Sequence, residues 1–226
     1  MSNSQGLGEE RGNRTFLKVR GKEFVMVAEN PNGNKEAIDQ LLADGWKANP
    51  WTVGENSGVN YEKRFPNLTG KLVQAFEHDG KYAVEQKFVV EIEGGDTFQF
   101  SAKKYMNTQV ENLMNRMCND DFDPNLVVKL VPYKKPKENK DGYNEGVMIF
   151  NADDKGRYIN LVTKAFTVKE PGDCPSWDKK KKAGKTEWNN DATMEFLSNA
   201  VEEKMKTVTA EVAETSEADS TDDIPF

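Results

Sequence analysis

Four stretches of this chain set positive side chains beside aromatic rings. Single-stranded nucleic acid is held by that combination: cations follow the phosphates, and flat faces take the bases. The first stretch is Phe16, Lys18 and Arg20, with Lys22 just beyond. On a strand, Leu17 and Val19 would point inward and leave the ring and cations outside. The second is Lys103-Lys104-Tyr105 at a strand end, with Lys87 on the polar face of a neighbouring strand, and the third is Tyr133-Lys134-Lys135. The fourth runs from Trp177 to Trp188, two tryptophans around five lysines (Lys179 to Lys182 and Lys185), without strand alternation. An arm of that kind could clamp a strand by stacking and counterion release together. Each stretch also has a plainer reading, a lysine stem lying beside a packed tyrosine or tryptophans that pin a loop.

Catalytic arrangements are scarce. His78 is the only histidine and falls in an expected hairpin turn, which argues against a Ser-His-Asp triad and against zinc sites with several His ligands. Cys118 and Cys174 are the only cysteines, as in a reduced compartment. Asp120, Asp121 and Asp123 could gather magnesium for a nuclease, but they read more simply as a helix stop before Pro124. Neither a Gly-x-x-x-x-Gly-Lys phosphate loop nor a Gly-x-Gly-x-x-Gly occurs. The chain is therefore read as non-catalytic, with no cofactor and no metal.

The charge is segregated. The chain has 31 basic and 38 acidic residues, for a net −7. Six acids (Glu211, Glu214, Glu217, Asp219, Asp222, Asp223) and no base lie between Thr207 and Phe226; without them the count is 31 against 32. Such an arm solvates rather than packs, and it can compete with phosphates for a basic groove in the same molecule. It ends Asp222-Asp223-Ile224-Pro225-Phe226. Pro225 blocks helix continuation. A partner's apolar pocket would take Ile224 and Phe226, and its Arg or Lys would take the carboxylates. No apolar run is long enough to span a membrane, and the polar, Gly-rich stretch 1–13 lacks an apolar signal region, so a cytoplasmic location is expected.

The elements that would position these residues follow from periodicity. Residues 1–13 read as disordered. Thr15–Ala28 is strand-rich with a turn at Arg20-Gly21-Lys22. Lys35–Ala43 is a helix with Ile38, Leu41 and Leu42 on one face, and Asn49–Gly58 is turn-rich. Leu68–Glu77 and Lys81–Ile92 form a hairpin about His78-Asp79-Gly80, with Thr97–Lys103 as the next strand. Met106–Cys118 is a helix with Val110, Leu113, Met114 and Met117 inward. Leu126–Tyr133 is a strand, and Val147–Phe150 pairs with Tyr158–Phe166. Asn190 caps an amphipathic helix to about Lys206, with Met194, Leu197, Val201 and Met205 on one face; it could pack on the body, on a second subunit or on a partner.

The order strand, strand, strand, helix, strand, strand is that of an OB-fold, a five-stranded Greek-key barrel. A mainly β, OB-fold-like barrel with added helices and a disordered acidic C-terminal tail is therefore expected, with a generic α+β sandwich as the alternative. The body would span 14–168, the basic and aromatic arm with its helix 169–206, and the partner-binding tail 207–226.

The tip Asp-Asp-Ile-Pro-Phe resembles the C-terminal tip of bacterial single-stranded DNA-binding proteins, which docks replication, recombination and repair enzymes. The stretch from Phe16-Leu17-Lys18-Val19-Arg20-Gly21-Lys22 through Leu130-Val131-Pro132-Tyr133-Lys134 to Trp188 and Met194-Glu195-Phe196-Leu197 is similar to single-stranded DNA-binding proteins of tailed phages. These resemblances imply a protein that coats single-stranded DNA and recruits enzymes through its tip, in a host cytoplasm and with oligomers possible. The alternative is an adaptor or decoy that uses the tip but has little DNA affinity of its own.

Overall fold

The computed structural model describes residues 14–105, 107–138, 142–166, 174–176, 178–182 and 185–217; from 179 to 188 and from 207 to 217 it describes the backbone alone. The chain is mainly β. It opens with a hairpin of β1 (Arg14–Arg20) and β2 (Glu23–Val27), turned at Gly21 with φ +65°. Helix α1 (Lys35–Ala43) follows; Asn34 Oδ1 accepts from Ala37 N at 3.2 Å and caps it. Next come β3 (Lys47–Val53) and β4 (Asn56–Phe65), then the meander β5 (Leu68–Asp79), β6 (Val84–Glu91) and β7 (Thr97–Lys103). Helix α2 (Thr108–Met117) leads into β8 (Val127–Pro136), β9 (Tyr143–Ala152) and β10 (Tyr158–Val162). The short strands β11 (Asp178–Lys182) and β12 (Lys185–Asn189) precede α3 (Asp191–Glu217).

Ten strands join in one mixed sheet of order β10-β9-β8-β5-β6-β7-β1-β2-β4-β3, and β11 pairs with β12 separately. Within the large sheet, β9-β8-β5-β6-β7 has the strand order and the helix position expected of the five-stranded barrel. The barrel itself does not close. Closure would require β7 to meet β9, but β7 pairs with β1 instead, in parallel from Arg14 opposite Thr97 to Lys18 opposite Ser101. The sheet still coils enough to bring β2 near β8.

The core lies on the coiled inner face. Leu17, Phe100, Phe88 and Ala75 form one cross-strand row of it, and Phe100 packs 5.1 Å from both Phe24 and Phe88. Val110, Leu113, Met114 and Met117 of α2 are buried there, as their spacing requires. Met194, Leu197 and Val201 of α3 join the same core, so this helix packs on the body. The carbonyl of Asn190 accepts the first helical bond, from Met194 N at 2.9 Å.

Four expectations need correction. Asn49–Gly58 is not a turn region: β3 and β4 pair throughout it, turning only at Gly54-Glu55 between Val53 and Asn56. β5 runs through His78 and Asp79, the expected turn residues, and the turn follows them, with Tyr82 in it 85 % exposed. The Trp177–Trp188 segment contains a hairpin in which Lys179 is opposite Trp188. Lastly, α3 does not stop near Lys206; its backbone is helical to Glu217, through the strong helix formers Ala210, Glu211, Ala213 and Glu214.

Candidate nucleic-acid interface

β1 alternates as its residue types require: Phe16, Lys18 and Arg20 are exposed, while Leu17 is buried. Residues opposite one another on paired strands share a face. Lys18 stands opposite Ser101, Ser101 opposite Lys87, and Lys87 opposite Phe76. In the next row Phe16 is opposite Gln99, Gln99 opposite Val89, and Val89 opposite Gln74. The row between them is the core row of Leu17, so both outer rows line the sheet face turned away from the core.

The result is a platform across four neighbouring strands. Phe16 is 64 % exposed at one side and Phe76 is 37 % exposed at the other. Lys18, Lys87, Ser101 and Gln74 lie between, while Gln99 and Val89 of the second row are buried. With strands about 4.8 Å apart, the two rings are separated by about 15 Å. They cannot hold one base together, but each can take its own base, with phosphates between them over the lysines.

Phe76 was not visible in the sequence, and the reason is local. A β-bulge at Val73 shifts the pairing between Leu72 and Gln74. Strict alternation would put Phe76 on the inner face with Leu72; the extra residue turns it outward.

Arg20 is held differently from Lys18. Its Nη1 donates to Glu62 Oε1 at 2.6 Å, Arg64 Nη2 donates to Oε2 at 2.9 Å, and Asn49 Nδ2 donates to Oε1 at 3.0 Å. Burial of Glu62, 1 % exposed, pushes its pKa up. The hydrogen bonds from Asn49 and Arg64 and the charges of Arg20 and Arg64 together prevail, so the carboxyl stays below the usual range. Lys22 is exposed in the β1–β2 turn, and Lys103 is exposed opposite Glu85.

Lys104 and Tyr105 lie apart from the platform. The Lys104 ammonium is buried against the Glu77 carboxylate and sits 5.0 Å from the centre of the Tyr105 ring. Glu77 also accepts from Ser198 Oγ at 2.7 Å, and the Tyr105 hydroxyl donates to Glu195 Oε1 at 3.1 Å. Tyr105 ties α3 to the sheet directly, and Lys104 does so through Glu77, which Ser198 of α3 also bonds. Burial works to lower the pKa of Lys104, but the Glu77 carboxylate outweighs it and raises the value.

The third cluster borders a groove of about 770 Å³ beneath the β8–β9 hairpin. The Tyr133 hydroxyl donates to Asn112 Oδ1 at 3.4 Å. Lys134 Nζ is 3.6 Å from Glu145 and 4.4 Å from the centre of the Tyr143 ring, while Lys135 is exposed. Trp177 and the tip Asp222, Asp223, Ile224, Pro225 and Phe226 lie outside the described residues, and Trp188 is placed by its backbone alone.

Among the described residues no group of three or more His, Cys, Asp or Glu could hold a metal, and no helix is long and apolar enough to cross a membrane. Asp123 Oδ1 accepts from Asn125 N at 2.8 Å in the loop after α2, in keeping with a helix stop. No protein-family model, curated protein or solved structure matches the chain.

Proposed function

We propose that this chain is a non-catalytic single-stranded DNA-binding protein that coats and protects DNA during replication, recombination or repair. One observation carries the reading: Phe76, Lys87, Ser101 and Lys18 stand in register on an outer sheet face with Phe16 beside them. An aromatic ring at each side of a cationic strip supplies stacking and phosphate contact without base-edge readout, so little sequence preference is expected. The strand order β9-β8-β5-β6-β7, with α2 between β7 and β8, supports an OB-fold origin. In that fold the second and third strands carry the ligand face. Their counterparts here, β6 and β7, form the middle of the platform. The acidic tip adds a second task, recruitment of replication and repair enzymes in the cytoplasm of the cell or host.

Anisotropy of labelled oligo(dT) and of a labelled duplex, each titrated with the protein at two salt concentrations, tests the proposal. The single strand should bind more tightly than the duplex, and its affinity should fall as salt rises. Equal affinity for both would contradict stacking. No affinity at low salt would leave the tip as the working part, and with it the adaptor or decoy reading.

A further inference from the structure

The groove beneath the β8–β9 hairpin collects positive side chains. Lys135 and Lys137 line it from the hairpin, Lys164 from the segment after β10, and Tyr133 and Tyr143 form aromatic walls. Lys164 is half-buried, and the ion pairs among the described residues do not include it. Burial lowers its pKa; Glu111 works against that shift and Arg116 adds to it.

Arg116 is buried as well. One of its guanidinium N–H groups donates to the Val162 carbonyl, and its Nε has no hydrogen-bond partner among the described residues. A second cation thus acts on the half-buried Lys164, and Glu111 is the acid that opposes it. Buried charge is ordinarily matched by counter-charge and hydrogen bonds. The described acids that line the groove are placed elsewhere: Glu145 is beside Lys134, and Glu138 lies on the exposed rim.

We infer that this groove is an anion site for a nucleotide, with Lys135, Lys137 and Lys164 around the phosphate and the Tyr143 ring beside the base. Lys134 covers one face of Tyr143, which remains 55 % exposed. The nucleotide is either one residue of a bound strand, which rests on the proposed DNA-binding reading, or a free mononucleotide with the same chemistry. A strand could reach the groove from the platform. β7 ends at Lys103 and α2 begins at Thr108 in the groove wall, so the two are at most about 17 Å apart along the chain.

The full chain is titrated with dTMP, thymidine and oligo(dT) while the amide NMR signals of Lys137, Tyr143 and Lys164 are followed. dTMP should shift them, and thymidine, which lacks the phosphate, should not. Lys164→Gln and Lys137→Gln should each weaken dTMP binding by about tenfold, the loss of one hydrogen bond to a charged group. Lys71→Gln, on an exposed lysine at the start of β5, should not. Lys137 is exposed, so its variant keeps the test decisive if Lys164→Gln misfolds. Displacement of dTMP by oligo(dT) identifies the ligand as the strand, and simultaneous binding identifies it as the free nucleotide. Absence of any dTMP shift, or unchanged affinity in Lys137→Gln, overturns the inference. If oligo(dT) fails to bind while dTMP binds, the platform reading falls and the groove stands. If oligo(dT) binds without moving these signals and dTMP also leaves them unmoved, the groove falls and the platform stands.

Discussion

Replacing Phe16 and Phe76 by alanine, singly and together, separates stacking from charge on the platform. A base stacked on an aromatic ring contributes about 1–3 kcal/mol. Each single variant should therefore lose about 5–150-fold in affinity for oligo(dT). The rings lie about 15 Å apart, beyond the distance at which substitutions usually couple, so the double variant should lose about 2–6 kcal/mol, the sum. Folding should survive. Phe16 is 64 % exposed and contributes little to the core; Phe76, 37 % exposed, should lose about 1–2 kcal/mol of stability. The charge arm of the test is Lys18→Gln and Lys87→Gln. Each phosphate contact removed should flatten the plot of log K against log salt by about 0.7 for a single strand. The ring variants should lower that line without changing its slope. Anisotropy of labelled oligo(dT) across a salt series reads both quantities, with circular dichroism as the check on folding. Folded ring variants with full affinity, or ring variants that alter the slope alone, would refute the two-ring arrangement.

Lys18→Glu and Arg20→Glu should part company. The first should weaken DNA binding and leave stability within about 0.5 kcal/mol. The second sets a carboxylate against buried Glu62 and should cost about 3 kcal/mol, the low end for a broken buried pair because Arg20 is 42 % exposed and Arg64 and Asn49 remain; urea midpoints decide this. Glu62 also predicts an acid response. Its folded pKa lies below the unfolded value of about 4.3, so its contribution is complete above that pH and is lost as pH falls through the folded value. Glu62→Gln should flatten that part of the stability–pH curve, and an unchanged acid limb would count against the network. Phe226→Ala should abolish capture of a host helicase or exonuclease and leave oligo(dT) affinity intact, because it removes the ring that would fill the partner's apolar pocket. Truncation before Thr207 removes six negative charges and should tighten DNA binding at low salt, with a gain that shrinks as salt screens it; no gain would mean the arm does not compete for the platform.

What the sequence made legible was alternation and amphipathic spacing. Leu17 against Phe16 and Lys18, the buried stripes of α2 and α3, and the strand Thr97–Lys103 all follow from period and residue type. What it hid depends on register, which periodicity within a strand does not report. Phe76 escaped because one extra residue at Val73 reverses the face of everything after it. Lys104 resembled its neighbour Lys103, yet one step along the strand end takes it from solvent into the Glu77 contact. Arg20 was rightly placed outside, but its partner is 42 residues away on β4, and only strand order brings Glu62 to it. The β3–β4 hairpin was missed because Pro50, Gly54 and Gly58 read as turn residues. Pro50 sits on the edge strand, where a missing N–H is tolerated, and Gly58 makes room for the Trp51 ring, whose Cζ2 would lie 2.8 Å from an added Cβ.

The parallel β1–β7 pair links the open sheet to the platform. Had β9 closed the barrel on β7, β9 would occupy that edge and Phe16 and Lys18 would lie elsewhere. By pairing there instead, β1 brings its ring and cation into line with Gln99 and Ser101 and, through β6, with Lys87 and Phe76. The exchange leaves the first half of β9 without a strand on its far side among the described residues, since β10 pairs only from Ile149 to Ala152. α2 covers that edge. Asn112 Nδ2 donates to the Thr108 carbonyl at 2.6 Å and to the Glu145 carbonyl at 3.4 Å. The approach is close enough that a Cβ on Gly146 would lie 2.9 Å from Asn112 Cβ and 2.8 Å from the Tyr133 ring. A glycine at that point lets the helix stand in for the missing strand. The same packing places Thr108, Asn112 and Tyr133 around the cationic groove. One departure from the closed barrel thus creates both surfaces: the flat face made by β1, and the groove made by the helix that seals the edge β1 left open.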